Sequence, residues 1–230
     1  MQVVLDCPSG IAGNLWMAAM LGLGADFAAV ADLPARLGVP HVGIDWRHDP
    51  GPPAVSEVVV HDAERTPPTD FAGMLDRVRG AGLSTGLCDI ALDVLRAREE
   101  AEARHLGLEL PSMQLHGEAV ADTLLDIVGG VVLWDALGRP DVLTRAAVVA
   151  GLRPRSSSAE LLDGIPFTRG GADLVLVTPT GAALLRSFWR RATVCGPPVR
   201  EVSVPGDFSR AANLAPLQAA LHQRTQAPAP

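Results

Sequence analysis

The sequence predicts an α/β or α+β fold, a mixed sheet with flanking helices. Three observations carry this expectation. Short β-branched runs open and punctuate the chain: Val3-Val4-Leu5, the VSEVVVH stretch at 55–61 and Leu174-Val175-Leu176-Val177. Between them lie longer segments of helical period, above all 85–106 and 118–138. Hydrophobic residues make up 48% of the 230 positions and charged residues 20%, a globular balance that excludes a disordered chain.

Taken in order, residues 2–6 (QVVLD) read as a short buried strand. A turn-rich segment, Cys7-Pro8-Ser9-Gly10-Ile11-Ala12-Gly13-Asn14, leads into a helix from Leu15 to Leu23 that Gly24 ends. A second helix is expected over 26–37, stopped by Gly38 and Pro40. Strands at 41–47 and 55–61 flank the loop Asp49-Pro50-Gly51-Pro52-Pro53. After a loop at 62–70 comes a helix over 70–80, and Ser84 then caps a longer helix at 85–106. There Leu87, Ile90, Ala91, Val94 and Leu95 keep helical spacing, whereas the following run RAREEAEAR reads as a solvated face with i,i+4 ion pairs.

Residues 118–138 are apolar on almost every side, which means a buried helix. Further expectations are a strand at 143–149, a polar loop from Arg153 to Ser158, a helical turn at 159–163 and a strand at 174–177. Thr178-Pro179-Thr180-Gly181 starts a helix over 182–192; a strand follows at 199–204 and an amphipathic helix at 213–222. The organisation is thus a main region, 1–205, with two subdomains of about 1–69 and 70–205, and a C-terminal helix with a disordered tail, 206–230.

Charge and composition exclude several functions. A net charge of -7 argues against nucleic acid as a partner. All 19 basic residues are arginine, so no mechanism that needs a lysine amine is available. Cys7, Cys88 and Cys195 lie far apart and form no zinc-binding pair. No signal peptide and no apolar run of ~18–20 residues is present, so the expectation is a cytoplasmic protein with no membrane partner.

Three places carry candidate chemistry. In the first, Ser9, Gly10, Gly13 and Asn14 open a helix beside Asp6 at the end of a strand. Glycines let backbone approach a ligand, and helix N-terminal amides attract anions; the alternative is a structural turn with Ser9 or Asn14 as a cap. In the second, Glu118, Asp122 and Asp126 repeat at i, i+4, i+8, with His116 just upstream. Like charges on one face of an apolar helix call for a cation, and three carboxylates with an imidazole suit a divalent metal. Alternatively the acids favour the helix dipole and face solvent. In the third, Thr178, Thr180 and Gly181 either hold an anion at a helix start or form a plain cap. Cys7 is either an activated thiol near helix amides or a small buried hydrophobe.

Five blocks in order resemble the LarC-type nickel-insertion proteins. Leu5 to Asn14 is similar to their L-D-x-x-x-G-I-S-G-D signature, and Glu100 to Gly107 to an A-E-A-x-x-H-G helix end. Leu115-His116 through Gly129 resembles F-H-E-x-G-A-x-D-S-I-x-D-I-x-G. Leu161 to Pro166 resembles L-L-x-G-x-P, and Leu176 to Ala183 resembles E-L-x-T-P-T-G-A-A. The resemblance implies insertion of nickel into a sulfur-bearing pyridinium mononucleotide, the precursor of the nickel-pincer cofactor of lactate racemase-type enzymes. It implies CTP with Mn²⁺ or Mg²⁺ as auxiliaries, and a C-terminal-domain protein or the apo-racemase as partner. Its motif positions here are Asp6, Ser9, Gly10, Gly13, His116, Asp122, Asp126, Thr178, Thr180 and Gly181. The chain departs from the pattern at Asn14, where the family has Asp, and at Gln114 and Gly117, where it has His and Glu. It also lacks the family's His-rich and Pro-rich insertions, and it ends near where the family's C-terminal domain begins. A divergent paralogue that binds a nucleotide or protein without inserting metal is the alternative.

Overall fold

The computed structural model describes residues 1–62, 66–145, 148–150, 156–169, 177–194, 196–206 and 215–223. The expected α/β architecture is present: a mixed six-stranded sheet with helices around it. Its strands are β1 (Gln2–Asp6), β2 (Val42–Asp49), β3 (Val55–Asp62), β6 (Asp141–Thr144), β9 (Pro198–Val204) and β10 (Leu217–His222), in the order β2-β3-β9-β10-β1-β6. β1 runs parallel to β6 and antiparallel to β10, with Val4 opposite both Leu143 and Ala220. Two-residue strands β4 (Thr69–Asp70) and β5 (Gln114–Leu115) pair with each other, as do β7 (Val148–Ala150) and β8 (Phe167–Arg169).

The helices are α1 (Gly13–Gly22), α2 (Leu33–Arg36), α3 (Phe71–Gly80), α4 (Thr85–Leu106), α5 (Glu118–Ala136), α6 (Ser157–Leu161) and α7 (Pro179–Phe188). Asp70 caps α3 by accepting from the Gly73 amide at 2.8 Å. Gly107, at φ 68, ends α4 in the left-handed conformation that glycine adopts without steric cost. α1, α5 and α7 pack together at small residues. A Cβ on Gly129 would lie 2.5 Å from the Met17 sulfur, and one on Gly130 3.0 Å from the Trp16 ring. Trp16, wholly buried, donates its indole N–H to the Gly130 carbonyl at 3.2 Å and stacks on Phe188 at 5.4 Å. As the all-round apolar pattern requires, α5 is buried from Thr123 to Leu133 apart from Asp126.

Four expectations need correction. The helix expected over 26–37 is a 3₁₀ turn, Phe27–Ala29, followed by the short α2. Pro34 lacks an N–H and its ring clashes with a carbonyl four residues earlier, so it is tolerated only where a new helix begins. The helix expected at 213–222 is instead strand β10, paired on both sides within the sheet. Its Leu-Gln-Ala-Ala-Leu-His sequence favours a helix in isolation, but two ladders of backbone hydrogen bonds override that weak preference. The strand expected at 143–149 is divided between β6 and β7, which belong to different sheets. Finally, the charge run of α4 is not wholly solvated: Arg98 and Glu99 are buried and paired with each other. Arg104 does pair with Glu100, at 3.8 Å. Of the strand expected at 174–177, residues 174–176 lie outside the described residues and Val177 bridges Ile11; the tail from 224 to 230 also lies outside them.

Candidate functional site

Two loop-to-helix junctions lie side by side. After β1, the Gly10 amide donates to the Cys7 carbonyl at 3.2 Å, and Gly10 takes φ 81, a turn that favours glycine. Ile11 bridges Val177 in parallel, and the Thr178 amide donates to the Ile11 carbonyl at 3.1 Å. Gly181 permits this approach, since a Cβ there would lie 2.4 Å from the Ile11 carbonyl oxygen. The starts of α1 and α7 are thereby fixed next to one another.

α5 crosses beside them and brings Asp126 to Gly13. A Cβ on Gly13 would lie 2.3 Å from Asp126 Oδ2, so only glycine leaves room for the carboxylate. Ala12, at the N-cap of α1, has no side-chain oxygen to offer. The Asp126 carboxylate from α5 takes that place and accepts a hydrogen bond from the Asn14 amide. Its other oxygen, Oδ1, is buried and has no hydrogen-bond partner among the described residues. Burial, reinforced by the neighbouring Asp122 charge, pushes the Asp126 carboxyl well above the ordinary carboxylate range, against the lowering effect of the Asn14 amide. A buried carboxylate oxygen without a donor is the kind of group a cation satisfies.

A cavity of ≈ 400 Å³ opens at this junction. Of the residues singled out in the sequence, Ser9, Gly10, Asn14, Asp122, Asp126, Thr178 and Thr180 line it. Valines 58 to 60 of β3 supply an apolar wall. Ser9 donates its hydroxyl to the Ala215 carbonyl at 2.6 Å, and Thr178 Oγ1 accepts from the Gly181 amide at 3.1 Å. The plain-cap reading of Thr178 is therefore realised within the cavity wall. Gly13 and Gly181 act behind the wall, by allowing the close approaches just described.

Other candidates sit elsewhere. Asp6 lines a separate hollow with Arg145 and Glu201. His116 is exposed in the segment before α5 and is not among the lining residues. Glu118 begins α5, and its side chain lies outside what the structure describes. Among the described residues, no group of three or more His, Cys, Asp or Glu side chains stands close enough to hold a metal ion. Among them, too, no helix is long and apolar enough to cross a membrane.

Cys7 is a buried hydrophobe: desolvation, with the Asp6 charge adding to it, pushes its thiol up to about 12. In the folded protein Cys7 should resist iodoacetamide at pH 8 while the half-buried Cys88 reacts, as peptide mass mapping would read. Alkylation of Cys7 at the rate of Cys88 would contradict this account of the β1–α1 junction.

Sequence reasoning missed Arg98, which lines the cavity from α4. The signal was present: Arg98 continues the Ala91, Val94, Leu95 stripe at i+7, i+4 and i+3, so it faces inward with them.

A family model described as nickel insertion protein matches residues 3–204. A Geobacter metallireducens relative with nickel insertion protein in its name is 30% identical over 198 residues, covering 80% of this chain and 50% of the relative. A Geobacter sulfurreducens relative is 31% identical over 196 residues, with the same coverage, 80% and 50%. A Myxococcus xanthus relative is 32% identical over 201 residues, covering 79% and 50%. The chain spans about half the length of the curated relatives it matches. No solved structure gives a match. The match takes in the β1–α1 loop, α5 and the start of α7, three of the segments that line the cavity, and on its extent the chain belongs to the nickel insertion protein family.

Proposed function

We propose that this chain takes part in nickel insertion, with Ni²⁺ as the transferred substrate and a pyridinium-bisthiocarboxylate mononucleotide as acceptor. The observation that carries the reading is the convergence of three family segments, Ser9–Asn14, Asp122–Asp126 and Thr178–Thr180, on one cavity. Asp122 and Asp126 are the groups to receive the cation, because the second has a buried oxygen that meets no donor among the described residues. Two carboxylates do not complete a nickel coordination sphere; the sulfur atoms of the nucleotide would supply further donors. His116, exposed and not among the lining residues, is not a ligand of the final site in this reading. CTP with Mn²⁺ or Mg²⁺ is an auxiliary, and a C-terminal-domain protein or the apo-racemase is the partner. A cytoplasmic location and lyase chemistry are part of the same proposal.

The second reading is a paralogue that binds a nucleotide or protein without inserting metal. Asn14 favours it, since the cavity then carries one negative charge fewer than the family pattern. The two readings separate in one assay. Purified protein is incubated with the dithiolated mononucleotide, Ni²⁺, CTP and Mn²⁺, and the nucleotide is weighed by mass spectrometry. A nickel-containing product that disappears with Asp122→Ala and Asp126→Ala supports insertion. Nucleotide bound with no nickel in it establishes the binding module instead.

A further inference from the structure

We propose that Arg98, together with the backbone amide of Thr180 at the start of α7, is a binding subsite for the phosphate of a mononucleotide within the cavity. Arg98 stands on α4, a helix packed on both α5 and α7. It is 9% exposed and lines the same cavity as Thr178, Pro179 and Thr180. One guanidinium nitrogen pairs with Glu99. The Nε–H is buried and meets no acceptor among the described residues. A guanidinium is a cation with five N–H donors and no acceptor, so a buried one beside a cavity with a donor left over suits an anionic ligand.

The helix start supplies the second half of the subsite. Pro179 has no N–H, the Gly181 amide is taken by Thr178 Oγ1, and the Ala182 amide by the Thr178 carbonyl. That leaves the Thr180 amide, for which no described residue provides an acceptor, at the positive end of a ten-residue helix. A phosphate suits this pair better than a single carboxylate, because it carries nearly two charges and three acceptor oxygens. Binding there leaves the ring of a mononucleotide free to reach Asp122 and Asp126, which line the same cavity. The identity of the nucleotide rests on the nickel-insertion reading; the anion chemistry does not.

Nicotinic acid mononucleotide and its phosphate-free riboside are the probes, titrated calorimetrically into the full chain, with Ni²⁺ titrated separately. The wild type is expected to prefer the mononucleotide by ~10–100-fold, the worth of charge-assisted hydrogen bonds. Arg98→Gln should abolish that preference. If removing the partner of Glu99 unfolds the protein, the pair Arg98→Gln with Glu99→Gln keeps the buried charge balanced and is read by the same ratio. Equal affinity of the wild type for the two probes overturns the subsite, whether or not Ni²⁺ binds. So does an unchanged ratio in a folded Arg98 variant. Phosphate preference without Ni²⁺ uptake retains the subsite and removes the nickel reading instead.

Discussion

Gly181→Ala should lower the melting temperature by roughly 6–12 °C, from an overpacking cost of about 3 kcal/mol at ~2–4 °C per kcal/mol. The added Cβ would meet the Ile11 carbonyl oxygen at 2.4 Å and the Ala12 Cα at 2.9 Å. Both are backbone atoms of the junction that also holds the start of α1, so no side-chain rotation relieves the clash. The two helix starts must part, and the cavity between them opens. Gly86→Ala is the control, since nothing lies within 4 Å of its Cβ position in α4. It should stabilise the protein by about 0.5–1 kcal/mol, the difference in helix preference. Thermal melts of both variants check the contrast; equal melting temperatures would mean that the close approach at Ile11 carries no structural weight.

Asp126→Asn should stabilise the nickel-free protein near neutral pH while it cripples metal binding. The folded-state carboxyl titrates well above its ordinary range, chiefly through desolvation and then through Asp122. The folded state therefore binds more protons than the unfolded state between the ordinary and the raised pKa. Stability falls as pH rises across that window, and above the raised value the whole cost of a buried charge is present. Asparagine removes the charge but keeps a carbonyl to accept from the Asn14 amide. A gain of about 1–3 kcal/mol is expected at pH 7, the cost of the buried charge less that of the amide NH2 that replaces Oδ1, shrinking as pH falls toward ~4, where the unfolded carboxyl takes up its own proton. Denaturant titrations at several pH values measure it. A variant less stable than wild type at every pH would show that the Asp126 charge is a structural cap and not a group held ready for a cation. A residue that costs stability while serving a site is the usual sign of function taking precedence over packing.

The sequence allowed α5 and α4 to be recognised because their signals are local. An apolar surface all round α5 and Gly107 at the end of α4 depend on nothing else in the chain. β10 could not be read the same way: its Ala and Leu residues favour a helix locally, and only pairing with β1 and β9 makes them a strand. Of the site, the Gly10–Asn14 loop, the acid repeat and the Thr178-Pro179 cap were legible as helix-start and charge patterns. Their meeting was not, because it depends on the missing Cβ atoms of Gly13 and Gly181, which report close approach only once the partner is known. Arg98 was obscured by the charged residues around it, although its stripe position pointed inward.

The account turns on whether the acid pair in this cavity receives nickel. Calorimetric titration of Ni²⁺ into the purified chain, with and without a pyridinium mononucleotide, tests it most directly. The account predicts one site per chain, strengthened by the nucleotide and weakened by roughly 10–100-fold or more when Asp122→Asn and Asp126→Asn are combined in a folded variant. Unaltered nickel affinity in that variant, or no uptake by the wild type with the nucleotide present, would contradict it.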